Sequence, residues 1–205
     1  MRLLVRSIYF LLALLLAFAI TQRAIEFFKP DFENHRFLTD KKEFFNIYKW
    51  PLYVHMLSAP LSILFGILQF TLPKRGFSHR LVGVFYIVVV ICCAAPSGFV
   101  MAFFAIGGMP SVISFVLLSS LWWWFTIKAY RSARTQDFER HGYFMTMSFI
   151  LANSAIILRL LGFVNKQWLH LEYETAYIWM TWLSWLPFLV IHQLSLRLKA
   201  RRQAS

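Results

Sequence analysis

The sequence is poor in charged residues and in cysteine. Only 15% of its 205 residues are Asp, Glu, Lys or Arg, whereas soluble domains carry about 25%. The hydrophobic share is 59% and the mean hydropathy is +0.59, so much of the apolar surface must be buried in lipid. Two cysteines exclude a disulfide scaffold, and the adjacent Cys92 and Cys93 lie in an apolar run, which indicates free thiols. The sequence therefore predicts an integral membrane protein.

Motifs of ordinary enzyme chemistry are absent as well. There is no Gly-rich phosphate loop, no Gly-x-Ser-x-Gly and no His-Glu-x-x-His, which favours a protein that is not an enzyme. The predicted membrane spans contain no Asp or Glu, which argues against a proton-coupled carrier built on carboxylates. No inverted repeat relates the two halves of the chain.

Long apolar runs divide the chain into six predicted transmembrane helices, because each run has the roughly 20 residues that a bilayer requires. The predicted spans are 3–21, 50–72, 81–106, 109–130, 142–164 and 176–197. The fold class is therefore all-α, a polytopic membrane bundle. Spans two, three, five and six are predicted to form its core, since they carry the ionisable residues. For span one, a cleaved signal peptide following Arg2 and Arg6 is the alternative.

The regions outside the spans are short, with one exception near the N-terminus. The chain divides into an N-terminal span with an external interfacial loop (1–49), a five-helix membrane domain (50–197) and a basic cytoplasmic tail (198–205). In the loop, Asp40 and Glu43 have the spacing of a capping box. This spacing predicts a short interfacial helix that leads to Pro51 at the start of span two.

The distribution of basic residues predicts the orientation. The net charge is +12, but Lys and Arg lie in short clusters between apolar runs, so no nucleic-acid partner is expected. Thirteen of the 21 basic residues fall on one side of the predicted bundle, and seven of the nine acidic residues fall on the other. Both termini are therefore predicted to be cytoplasmic. The expected partner is the lipid bilayer, with a membrane protein or a second copy of this chain as further candidates.

Small residues at every fourth position predict close helix packing. Such residues let helix backbones approach each other in lipid. They occur in spans two and three at Ser58, Ser62, Gly66, Ala94, Gly98 and Ala102. The two spans are therefore expected to be neighbours.

Two clusters of polar side chains are predicted at different membrane depths. On the external side, His55 and Arg159 each lie about five residues from the outer end of their span, with Ser97 and Asn153 deeper. His170, in the last external loop, is close enough in sequence to fold over them. A guanidinium inside a span stays charged, so Arg159 needs acceptors or a bound anion there.

The second cluster lies on the cytoplasmic side. It contains Gln69, His79, Arg80, Arg140, His141 and His192. Neutral imidazoles on facing helices are the usual ligands of b-type haem in a bundle, so His79 and His141 are candidate iron ligands. The candidate cofactor-binding residues are His55, His79, His141, Arg80, Arg159 and Gln69, with His192 and His170 as further candidates.

These clusters lead to three hypotheses about function. The first is a b-type haem or quinone-linked electron-transfer component of the membrane. In the second, the His and Arg side chains bond only to backbone carbonyls and lipid phosphates, and the protein is a non-catalytic membrane partner or assembly subunit. The third is a path for a small molecule or a metal.

The order of the polar motifs resembles a known family. The series is His55, Gly66-Ile67-Leu68-Gln69, His79 to Tyr86 (HRLVGVFY), Ser97-Gly98, Arg140-His141 and Leu158-Arg159-Leu160. It resembles the bacterial integral-membrane family called domain of unknown function 2306, over about residues 50–195. The chain departs from the family pattern at Ile67, Val84 and Gly142, where the family has Pro, Arg and Arg. The resemblance implies a multi-pass protein of the bacterial inner membrane and brings no established activity.

Overall fold

The computed structural model describes residues 41–74 and 76–204, together with positions 11, 15 and 18, without the side chains of 199 and 202–204. Every regular element in this part of the chain is helical, which confirms the all-α class. The helices are α1 Phe45–Thr71, α2 Phe77–Val89, α3 Ala95–Ala102, α4 Gly108–Arg134, α5 Phe138–Ala152, α6 Ser154–Val164, α7 Tyr173–Leu183 and α8 Leu186–Ala204. One π-helical segment, Val90–Ala94, joins α2 to α3, and another, Asn165–Leu169, follows α6.

Four continuous helices are long and apolar enough to cross a membrane. They are Phe45–Thr71, Phe77–Ala102, Gly108–Arg134 and Phe138–Leu169, and they correspond to the predicted spans two to five. The first predicted span and the loop as far as residue 40 lie outside the described residues, apart from positions 11, 15 and 18. The described residues thus show four candidate spans, and the predicted total of six is not supported by them.

The predicted sixth span, 176–197, is divided into two helices. α7 ends at Leu183 and α8 begins at Leu186, with a turn at Ser184 and Trp185 between them. Pro187 has no N–H to donate to the carbonyl of Leu183, four residues earlier. The prediction of one continuous helix is wrong for this reason.

The predicted interfacial helix before Pro51 is not a separate element. Residues 41–44 form a turn, and α1 then runs without a break from Phe45 through Pro51. Near its start, Tyr48 is buried and contacts the ring of Phe104, with the ring centroids 5.2 Å apart. This packing holds the first turns of α1 in line with the rest of the helix, so the segment expected to lie on the membrane continues into the span.

α4 also packs into the bundle, so the core is not made, as predicted, by spans two, three, five and six alone. It packs along α5 and also contacts α3, α7 and the Val90–Ala94 segment. Its contact face consists largely of small, buried polar residues: Ser111, Ser114, Ser119, Thr126 and Ser132. Such residues permit close approach of helices. The prediction ranked the spans by ionisable residues, and this face of α4 has none.

The predicted close packing of spans two and three is confirmed, since α1 contacts α2, α3 and the π-helical segment between them. The small residues also serve other contacts. A Cβ atom at Gly66 would overlap the ring of Phe149 in α5, and one at Gly98 would lie 3.1 Å from Cε1 of His55. Gly66 therefore lets α1 approach α5 as well as α2.

Candidate functional site

A chain of hydroxyl groups links three helices in the bundle interior. Oη of Tyr86 in α2 lies 2.7 Å from Oγ of Ser148 in α5, and this Oγ lies 2.8 Å from Oγ1 of Thr126 in α4. Thr126 donates its own proton to the carbonyl of Trp122 at 2.7 Å. Thr126 must then accept from Ser148, and Ser148 accepts from Tyr86. All three hydroxyl side chains are fully buried, so each depends on its neighbour for a hydrogen bond.

This network aligns His79 with His141. α4 packs back along α3, which continues α2, and α5 in turn packs back along α4. After these two reversals of the chain, α2 and α5 run in the same direction. His79 precedes Tyr86 by seven residues, and His141 precedes Ser148 by seven residues. Two helical turns bring a residue back to nearly the same face, about 10 Å along the axis. The two histidines therefore lie at one level.

His79 lies where the start of α2 meets the end of α1. Nε2 of Gln69 donates to the backbone carbonyl of His79 at 2.7 Å, and the same amide packs against Gly83. Nδ1 of His79 is buried, and no described residue forms a hydrogen bond with it, although the Gln69 carbonyl is near the ring. A buried polar atom without a partner is unusual and costly. Because Nδ1 faces the protein, Nε2 is the ring nitrogen that a ligand could reach.

His141 is held by α4. Its Nδ1 lies 2.9 Å from the carbonyl oxygen of Ala129, which is three residues beyond Thr126 on the same helix. A carbonyl can only accept, so in the neutral ring Nδ1 carries the proton and Nε2 carries the lone pair. Metal-bound histidines are commonly oriented in this way, with the second ring nitrogen donating to a backbone carbonyl.

The backbones of α2 and α5 stand apart at this junction. α5 packs along α4, and α2 packs against α1, whereas α2 and α5 make little or no close backbone contact with each other. The side chain of Tyr86 spans the distance to Ser148. His79 and His141 therefore belong to two helices whose backbones are separated at this junction.

His192 does not join this pair. Its ring stacks on Tyr143, with the ring centroids 6.3 Å apart, and Nε2 of Gln193 donates to the hydroxyl of Tyr143. Tyr143 is two residues after His141 and so faces nearly the opposite side of α5. Nε2 of His192 is buried without a partner among the described residues. The cytoplasmic cluster expected from sequence is thus divided, and Arg80 is exposed at the start of α2.

His55, from the predicted external cluster, packs against the π-helical segment and α3. Its Nδ1 lies 2.9 Å from the carbonyl oxygen of Ala94 and 3.4 Å from Oγ of Ser97. The missing side chain of Gly98 provides the space for the ring. The structure therefore brings together His55 and Ser97, two members of the predicted external cluster, although Ser97 was expected to lie deeper.

The other members of the external cluster are more separated. Arg159 is exposed, and its Nη1 donates to the carbonyl of Ala155 one turn earlier at 2.9 Å. Asn153 donates to the carbonyl of Phe149 in its own helix. His170 is exposed and has a left-handed backbone conformation after the second π-helical segment. The structure places His170 at the end of a helix and shows no fold over the cluster among the described residues.

The fold and its buried polar contacts define a class of protein: an α-helical membrane protein with several candidate spans and with hydrogen bonds between them in the bundle interior. The family model described as "Predicted membrane protein (DUF2306)" matches residues 52–196. This range is more than half of the 205-residue chain, so the chain belongs to that family, and the resemblance in its motifs is confirmed. No curated protein and no solved structure matches the chain.

Sequence analysis did not find the hydroxyl network, and Ser148→Ala tests its contribution. The substitution leaves the buried hydroxyl of Tyr86 without its partner, so we expect a loss of about 0.5–1.7 kcal/mol in the free energy of unfolding. Reversible unfolding in detergent measures it. Ser120→Ala makes the same chemical change at an exposed position of α4 and should be nearly neutral. Equal losses from both variants would show that the network adds nothing.

Proposed function

We propose that the protein is a multi-pass protein of the bacterial inner membrane that binds b-type haem between His79 and His141 and acts as an electron-transfer component. One observation carries the proposal: His79 and His141 lie at one level on two separated helices, and the Ala129 carbonyl orients the His141 ring so that its Nε2 carries the lone pair. When bound, the haem would supply one-electron chemistry that no side chain provides. The chain's own residues would bind and orient it.

The donor set at this junction suits such a group. Two neutral imidazoles can ligate iron without bringing a charged side chain into the membrane. The described residues contain no group of three or more His, Cys, Asp or Glu side chains that could hold a metal ion alone, which favours a group that brings most of its own ligands. Arg80 directly follows His79, and Arg140 directly precedes His141. Both arginines can pair with the acidic substituents of a porphyrin.

The surrounding residues have positioning roles in this proposal. The Ala129 carbonyl orients the ring of His141, and Gln69 holds the first turn of α2 through the carbonyl of His79. Farther into the bundle, the buried Tyr86 and Ser148 close the space between α2 and α5. These contacts would keep water from the inner side of the site.

The visible absorption spectrum of the purified full-length protein tests the proposal. Protein from cells supplied with haem should show a Soret band and sharp bands after reduction. A colourless protein that also takes up no haem on titration would overturn the proposal. The non-catalytic membrane partner, in which the imidazoles bond only to carbonyls and lipid phosphates, would then be the better assignment.

Six spans and cytoplasmic termini are also part of the proposal, and the unequal distribution of Lys and Arg supports them. Reporter fusions after Lys74, after Arg134 and at Ser205 should report the cytoplasm, and a fusion near Asn34 should report the outside. An external signal after Arg134 would reverse the orientation. An external signal at Ser205 alone would contradict a single crossing by α7 and α8.

A further inference from the structure

A basic cavity opens between the end of α4 and the start of α5. Its volume is about 240 Å³, and it is lined by Lys128, Arg131, Ser132, Thr135, Arg140 and Phe144. Three of these side chains are cationic and none is acidic. Pockets for drug-sized ligands have volumes of about 300–1,000 Å³, so this smaller cavity suits a single anionic group.

Most of the positive charge in the basic cavity is not neutralised within the described structure. Arg140 pairs with Asp137, with Nε 3.3 Å from the carboxylate, and 76% of its side chain is exposed. Asp137 also accepts the backbone N–H of Arg140, so its charge is partly used in capping α5. Lys128 and Arg131 have no ion-pair partner among the described residues. The cavity therefore favours an anion.

Ser132 adds a hydrogen-bond donor to the lining of the basic cavity. Its side chain is only 9% exposed and lines the cavity, and no described residue forms a hydrogen bond with its hydroxyl. The neighbouring Thr135, by contrast, donates to the carbonyls of Arg131 and Ser132, both at 3.2 Å. A hydroxyl that opens to the cavity beside cationic groups, and that has no partner among the described residues, is a suitable donor to a phosphate oxygen.

The residues next to the basic cavity place it at the membrane surface. Trp124, one turn before Lys128, is 53% exposed, and Nζ of Lys128 lies 4.8 Å from the centre of its ring. Tryptophan is enriched at the headgroup level of bilayers, and lysine extends its amine from apolar surface toward that level. The cavity thus lies where lipid phosphates are available.

We propose that the basic cavity binds the phosphate group of an anionic phospholipid. Lys128 and Arg131 pair with the negative charge, and Ser132 donates a hydrogen bond to a phosphate oxygen. A zwitterionic lipid is disfavoured, because its cationic headgroup would face three cationic side chains. The cavity is therefore a specific lipid site rather than part of the general contact with the bilayer.

Lipid retention by the full-length protein in nanodiscs tests this proposal. The probes are phosphatidylglycerol and phosphatidylcholine, and native mass spectrometry measures how many lipids of each kind stay bound. Wild type should retain phosphatidylglycerol preferentially. Lys128→Gln and Arg131→Gln should each weaken this retention about fivefold, and Ser132→Ala should weaken it without any change in charge. Arg134→Gln is the matched control, since it removes the same charge from the end of α4 but does not line the cavity.

Three results would overturn the proposal. The first is an equal loss with Arg134→Gln and with the cavity variants, which would indicate general attraction by a basic surface. The second concerns protein in pure phosphatidylcholine: inorganic phosphate would stabilise it as strongly as phosphatidylglycerol does. That result would indicate a site for a soluble anion. The third is equal retention of phosphatidylglycerol and phosphatidylcholine by the wild-type protein. This measurement tests the site even if the variants do not fold.

Discussion

Replacing either His79 or His141 with alanine is expected to remove most of the bound haem while the helical bundle still inserts. In the proposed site each of the two imidazoles would hold the haem, so the loss of either one would leave it held from one side only. Because two ligands act as a unit, the double variant should be little worse than either single variant. The ratio of haem absorbance to protein absorbance, compared with wild type purified in parallel, measures the loss.

Two other histidine variants serve as controls for this experiment. His192 stacks on Tyr143, on nearly the opposite side of α5 from His141, and His55 bonds to the Ala94 carbonyl near α3. His192→Ala and His55→Ala should therefore keep the pigment. A loss with His192→Ala as large as that with His79→Ala would mean that the ligand pair is assigned wrongly. If His79 and His141 only cap helices, each loss should cost about 0.5–2 kcal/mol and leave any spectrum unchanged.

Gly66→Ala is expected to destabilise the bundle strongly, although it adds only one methyl group. The new Cβ would overlap the ring of Phe149 and lie 3.4 Å from Cε2 of Tyr86. α1 or α5 would have to shift, and overpacking of this kind costs about 1–3 kcal/mol. The shift would also disturb the hydrogen bond between Tyr86 and Ser148. Unfolding in detergent, monitored by tryptophan fluorescence, measures the change in stability.

Gly162→Ala is the matched control for this substitution. It adds the same methyl group in α6, where nothing lies within 4 Å of the added atom, and alanine favours a helix more than glycine does. It should be neutral or slightly stabilising. Adding Phe149→Leu to Gly66→Ala should recover part of the lost stability by freeing space. Similar effects from the two glycine variants would contradict the close approach of α1 to α5.

The membrane helices were predictable from sequence where lipid imposes a simple constraint. A bilayer requires a long apolar run, and the runs beginning near residues 50, 81, 109 and 142 correspond to the four candidate spans. The prediction failed where one local residue decided the backbone, as at Pro187, which separates α7 from α8. It also failed for α4, because serine and threonine hydroxyls create a contact face without altering the apolar character of the run.

The candidate site was only partly predictable from the sequence. The position of a residue within a span predicts its depth in the membrane more readily than the direction in which its side chain points. His79 and His141 were expected at one depth, and the structure places them at one level; their role as ligands stays a prediction. His192 was expected beside them, but it faces Tyr143 instead. The tertiary packing of α8 decides this direction. The hydroxyls of Ser148 and Thr126 were the available signal for the network, yet such residues are too common in membrane helices to stand out alone.

The electron paramagnetic resonance spectrum of the oxidised, haem-titrated protein is the most direct test of haem binding by His79 and His141. Two imidazole ligands impose a strong field on ferric iron, so wild type should give a low-spin signal with one haem per chain. His192→Ala should keep this signal, and any haem that remains in His79→Ala should become high-spin. A wild-type protein that binds no haem, or a low-spin signal that persists at full intensity in His79→Ala, would contradict the proposed site.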